Sequence, residues 1–194
     1  MLTGIRKQMG AGGQSADVIE LLFACHDRTR RMLQLAVRLP DSAEARPSEI
    51  KKTASALARY FRHDVGLHWA DEDLSLRPRL HEALIADEVR DAMHVMREQH
   101  MAMEAELSRL IPIWERVAAC ADQWVQRAEP MRQATATLCA WVHSHLALEE
   151  ETIFPAMRRY LSADSEAVIL REMRARRRSK ATAVRLPVDS VQQT

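Results

Sequence analysis

The stretch LARYFRHDVGLHWADEDLSLRP, residues 57–78, carries an apolar line that turns polar partway along. Leu57, Phe61 and Val65 recur at the spacing of one helix face. The same line continues as His68, Glu72 and Leu76. Residues four apart stand one turn apart on the same side of a helix, so His68 and Glu72 point the same way. An imidazole and a carboxylate on a core-facing stripe are costly unless they are paired or hold a metal. The segment reads as a core helix built around a polar site.

The rest of the chain repeats this pattern. Val89, Met93 and Met96 lead to His100, then to Met103 or Glu104, then to Leu107. Leu138 and Val142 lead to His145, Glu149 and Ile153. His26 lies between Leu22 and Leu33 on a first apolar face. Each of four predicted helices therefore turns one histidine toward the core. With 8 histidines and 16 glutamates in 194 residues, chance gives about 0.7 His-x-x-x-Glu pairs. The chain has four: His68–Glu72, His94–Glu98, His100–Glu104 and His145–Glu149. His94 falls about 240° from His100 around the helix, off the apolar stripe, and reads as a surface pair. His63, His81 and His143 also fall off the stripes.

Helix-end chemistry sets the expected boundaries. The first helix covers about residues 15–39 and ends at Pro40. Ser48 opens a second that runs to about Leu76 and stops before Pro78. Asp87 caps a third that runs to about Ala121, with a kink at Pro112. Pro130 starts a fourth that runs to about Phe154 or beyond, with Pro155 as a late interruption. Ser162 or Asp164 caps a short fifth helix to about Arg176. The expectation is an all-α, up-down-up-down four-helix bundle with a short C-terminal fifth helix over residues 15–178. A flexible N-terminus, residues 1–14, and a disordered tail, residues 179–194, flank it.

Composition narrows the functions. Twenty-eight Lys+Arg against 27 Asp+Glu leave a net charge of +1, which argues against a dedicated nucleic-acid binder. The basic cluster Arg174, Arg176, Arg177, Arg178 and Lys180 reads as a solvated helix end. Few aromatics and five glycines argue against an all-β domain. Cys25, Cys120 and Cys139 are scattered, so they suggest neither a disulfide framework nor a thiolate zinc site. No apolar run approaches the roughly 18 residues of a membrane span, and the first fifteen residues lack a leader pattern. The expected setting is cytoplasmic, without a membrane partner and with any protein partner left open.

Imidazole nitrogens and carboxylate oxygens suit iron, manganese or zinc. A carboxylate can bridge two ions, so two glutamates with several histidines suggest a dinuclear site. No histidine has a glutamate three residues before it, which disfavours the ferritin type of di-iron bundle.

Four segments carry a resemblance: HDRTRRML from His26, HWADEDLSLRP from His68, EQHMAME around His100, and HLALEEETIFP from His145. The second and fourth share His-x-x-x-Glu-acidic-x-x-apolar-x-Pro. Together they resemble the hemerythrin family in its bacterial HHE form, over about residues 15–175. The resemblance implies a four-helix bundle around two non-heme iron ions, with oxo or hydroxo and carboxylate bridges and histidines on both irons. By position, His26, His68, Glu72, His100, His145 and Glu149 resemble the ligands. Animal members place the last carboxylate five residues after its histidine, which would select Glu150. On an ideal helix Glu149 lies about 40° from His145 and Glu150 about 140°, which favours Glu149. Glu150 and Glu151 then read as solvated or adjoining the ligands. Oxygen carriers have a second histidine where this chain has Glu104. Glu104 then ligates, hydrogen-bonds through water, or leaves a coordination position open.

The function implied is a di-iron protein that binds or senses O2, nitric oxide or peroxide. One alternative is a di-iron enzyme with peroxidase-like or NO-reducing activity. Another is a metal-poor helical interaction module with a buried polar network. No separate substrate-binding motif is present, which favours binding over turnover.

Overall fold

The computed structural model describes residues 17–185 apart from 43 and 84. The expected flexible N-terminus, and the tail beyond 185, lie outside these residues.

The first arm is α1, Val18–Arg38. A capping box fixes its start: the Asp17 carboxylate accepts the Glu20 N–H at 2.7 Å, and the Asp17 N–H donates to the Glu20 carboxylate at 3.2 Å. The second arm is continuous over α2 (Pro47–Arg59), α3 (Val65–Asp71) and α4 (Arg77–Glu82). Two π-helical turns, Tyr60–Asp64 and Glu72–Leu76, join them. In these turns the N–H reaches back five residues, from Val65 to the Tyr60 carbonyl and from Arg77 to the Glu72 carbonyl. The expected stop before Pro78 is therefore not a stop. Pro78 sits in the first turn of α4, where its missing N–H costs little.

The third arm is α5, Asp87–Ala119, which runs through Pro112; Ala86, not Asp87, holds the cap position. The fourth arm begins at α6, Trp124–Leu148, six residues ahead of Pro130. Its early start has a tertiary cause. The buried Trp124 indole donates to the Leu39 carbonyl at 2.8 Å. A third π turn, Glu149–Ile153, leads into α7, Phe154–Tyr160, again with Pro in the first turn. The fifth helix, α8, spans Ala163–Arg185. It is longer than the short helix expected, and residues 179–185, expected in the tail, belong to it.

The core shows how the arms alternate. One apolar cluster holds Leu33, Leu57, Phe61, Met103, Leu138 and Leu146. The other holds Leu22, Leu76, Met96, Ile153 and Phe154, and takes Ile169 and Met173 from α8. The first cluster draws on the late part of α1, the early second arm, late α5 and α6, the early part of the fourth arm. The second draws on the opposite ends. That exchange is the up-down-up-down order. In every arm the histidines and glutamates of the core-facing stripes fall between the two clusters. His26, His68, Glu72, His100, His145 and Glu149 are all buried there.

Polar contacts seat α8 against the second arm. Asp71, only 1% exposed, accepts from Arg176 at 2.8 Å and Arg177 at 2.6 Å. Glu172 accepts from Ser75 at 2.5 Å and Arg79 at 2.7 Å. Removing one partner of a buried ion pair leaves the other charge uncompensated, although both arginines can relax toward water here. Asp71→Ala is expected to cost about 2 kcal/mol. Urea denaturation checks the loss, and amide exchange in α8 should quicken first.

Candidate metal centre

Four imidazoles converge on two carboxylates in the layer between the clusters. Glu72 spans two of them: Oε1 lies 3.0 Å from His68 Nε2 and Oε2 lies 3.2 Å from His100 Nε2. Glu149 spans the other two, with Oε1 3.2 Å from His145 Nε2 and Oε2 2.9 Å from His26 Nε2. The donors divide into two groups of four. His26 and His68 share Glu72 and Glu149 in one, and His100 and His145 share the same two glutamates in the other. Within each group the ligand atoms lie within 4.8 Å of one another.

The donor set fits bound cations. The Nε2 atoms of all four histidines and both oxygens of both glutamates are buried without a hydrogen-bond partner among the described residues. They are close but misaligned for bonding one another, as lone pairs aimed at a common point would be. Burial, with the neighbouring Asp71 and Asp73, pushes the Glu72 carboxyl well above its ordinary range. Burial, with the Glu72 charge, pushes Glu149 up to about 8. Burial, followed by the neighbouring imidazoles, holds His68 and His145 well below 6.5, which keeps them neutral. Neutral imidazole is the form that ligates, and a cation restores the carboxylate charge that burial opposes.

A second ring of contacts orients three of the imidazoles through Nδ1. His26 meets Glu150 at 2.6 Å, and Arg30 donates to the same carboxylate oxygen at 2.7 Å. His100 meets Asp73 at 3.2 Å. His145 meets the Gln99 side-chain oxygen at 3.2 Å, while the Gln99 amide donates to Ser144. Such partners fix which nitrogen carries the proton and aim Nε2 inward. Burial works to raise Asp73 and Glu150, but their histidine hydrogen bonds and nearby arginines outweigh it and hold both carboxyls low. Phe154 stacks on His26 and Trp69 on His100, each at 5.1 Å between ring centres.

The structure brings together the six core-facing residues singled out in the sequence. Glu104 is exposed and belongs to neither group. Glu150 stands beside His26 rather than within a group, and Glu151 is exposed. His63, His81, His94 and His143 are exposed, and His94 pairs with Glu98 at 3.3 Å on the surface. Sequence reasoning missed Asp73 and Gln99. Asp73 had a signal, because an acidic residue follows the glutamate in both copies of the shared motif. Gln99 had none beyond adjacency to His100. Glu72 and Glu149 each open a π turn. These wider turns bring the following acid to an imidazole as well, a device that recurs at functional sites.

The chain matches the family model described as Hemerythrin HHE cation binding domain over residues 17–157, and again over 91–185. It is also similar to a protein of Haemophilus influenzae named only as an uncharacterized protein. The two are 25% identical over 166 residues, covering 84% of this chain and 91% of the relative.

Proposed function

Because this chain belongs to the hemerythrin HHE cation-binding domain family, we propose that its cation-binding centre holds two non-heme iron ions and binds or senses O2, nitric oxide or peroxide. The observation that carries the reading is the sharing of Glu72 and Glu149 by both groups of donors. His26 and His68 would complete one position, and His100 and His145 the other. When bound, iron supplies redox chemistry and open coordination for a small ligand.

The chain's own residues restrict what reaches that ligand site. A cavity of about 10 Å3 lies against His68 and His145, walled by Phe61, Val65, Met103 and Val142. That is room for about one water-sized molecule, which supports a diatomic or peroxide rather than an organic substrate. Its apolar walls offer little hydrogen bonding to water. Glu150, Asp73 and Gln99 hold the imidazole orientations while a ligand enters or leaves.

The test is metal content by mass spectrometry on protein purified aerobically without chelator, followed by optical spectra with O2, NO and peroxide. Near two irons per chain and ligand-dependent bands are expected. Folded protein that refuses added Fe(II) would overturn the reading and favour the interaction module. Consumption of peroxide or NO beyond stoichiometric binding would move it to an enzyme.

A further inference from the structure

Three of the four imidazoles have an acceptor on Nδ1, namely Glu150, Asp73 and the Gln99 oxygen. His68 breaks this pattern. Its Nδ1 is buried and has no hydrogen-bond partner among the described residues. With Nε2 turned to Glu72 and the metal position, the remaining ring proton sits on Nδ1 and needs an acceptor.

His68 lines a cavity of about 230 Å3 between α1, the α2–α3 junction and α8, alongside Cys25, Arg28, Tyr60, Asp64 and Arg177. A neighbouring cavity of about 340 Å3 shares Cys25, Arg28 and Arg177 and adds Arg174. The shared walls make the two one groove. Three guanidiniums line it against one carboxylate, Asp64, which lies 3.4 Å from Arg28. Asp71 engages Arg177 from α3, and also engages Arg176. The lining therefore carries surplus positive charge, and one of its wall residues, His68, has a buried Nδ1 still in need of an acceptor.

We propose that this groove binds a small oxyanion, which accepts the His68 Nδ1–H and lies against Arg28 and Arg177. The anion would supply from solution the acceptor that the protein itself supplies to the other three histidines. A hydrogen bond to an anion raises the basicity of a ligating imidazole. Occupancy would thus strengthen the hold of His68 on its metal and tie that half of the centre to anion concentration. The inference rests on the metal reading only for which His68 nitrogen carries the proton.

The experiment is a phosphate titration of the full chain at constant ionic strength, followed by histidine-ring 1H–15N NMR. It is run on metal-free protein and on protein loaded with diamagnetic zinc. His68 is assigned by its absence from the metal-free His68→Gln spectrum. The expected result is a saturable shift of the His68 ring signals that exceeds those of His26, His100 and His145. Arg28→Glu should weaken the apparent affinity at least tenfold, with circular dichroism as the check on folding. Lys51→Glu, on the exposed side of α2, should leave it unchanged. A His68 signal that phosphate does not move shows an ordered water or nothing in the groove, and overturns the proposal. Equal phosphate affinity in wild type and Arg28→Glu overturns it too. Protein that takes up no metal but still shifts at His68 overturns the metal reading alone.

Discussion

Glu72→Ala is expected to empty both halves of the centre, taking bound metal from about two ions per chain toward none. Glu72 reaches His68 with one oxygen and His100 with the other, so its loss removes a donor from both groups. Glu149→Ala should do the same, because its oxygens face His26 and His145. His68→Ala takes a donor from one group only and should cost about one ion. His94→Ala, on the surface, should cost none. Mass spectrometry of the four variants under identical loading checks the order; equal metal content in all of them would sink the ligand assignment. An apolar replacement of similar size should act oppositely on the metal-free protein. There Glu72 and Glu149 are buried without cations to compensate them, and replacing a buried polar cluster by an apolar group is often stabilising. Metal-free Glu72→Leu should gain about 1–3 kcal/mol in urea denaturation, while losing the extra stability that metal gives the wild type.

The second large effect is a reversal of pH dependence on metal binding. A glutamate whose folded pKa is raised keeps a proton that the unfolded chain has released. Its folded form therefore loses stability as pH rises from the unfolded value to the folded one. For Glu149 that window runs from 4.5 to about 8, and Glu72 moves in the same direction. His68 and His145, held below 6.5, act the other way, but only below 6.5. Between pH 6.5 and 8 the two glutamates still act in this way, while His68 and His145 no longer oppose them. Metal-free protein should lose up to about 1.4 kcal/mol per pH unit for each raised carboxyl still titrating. In the loaded protein the cation displaces those protons, so affinity climbs with pH. The rise in Tm that metal produces should therefore grow from pH 6.5 to pH 8. Parallel melting curves of the two forms check this, and a metal-induced shift that stayed flat or shrank would contradict the buried-carboxylate account.

Much of this architecture is legible in the order of residues. Apolar residues at helical spacing identify the four arms, because a helix must bury one stripe. His26, His68, His100 and His145 stand out because an imidazole on such a stripe demands a partner. Glu72 and Glu149 follow from the four-residue spacing that puts them one turn beyond their histidines. Helix ends were less legible. Pro78, Pro130 and Pro155 each read as a boundary, yet helix continues through all three. Pro78 and Pro155 fall in first turns just after π turns, and Pro130 lies inside α6, whose start is held by Trp124 on Leu39.

The helical class, the alternating arms and the polar residues at mid-depth can be read from residue order, since these follow from local periodicity and the cost of burying charge. How those residues pair emerges from the packing of the arms. That Glu72 reaches His100 as well as His68, that Asp73 and Gln99 serve histidines on other arms, and that His68 is left without an acceptor are facts about side chains far apart in the chain. Helical spacing fixes which way a residue points on its own helix. It carries no information about the rotation and depth at which neighbouring helices pack, and those two quantities set every distance in the centre.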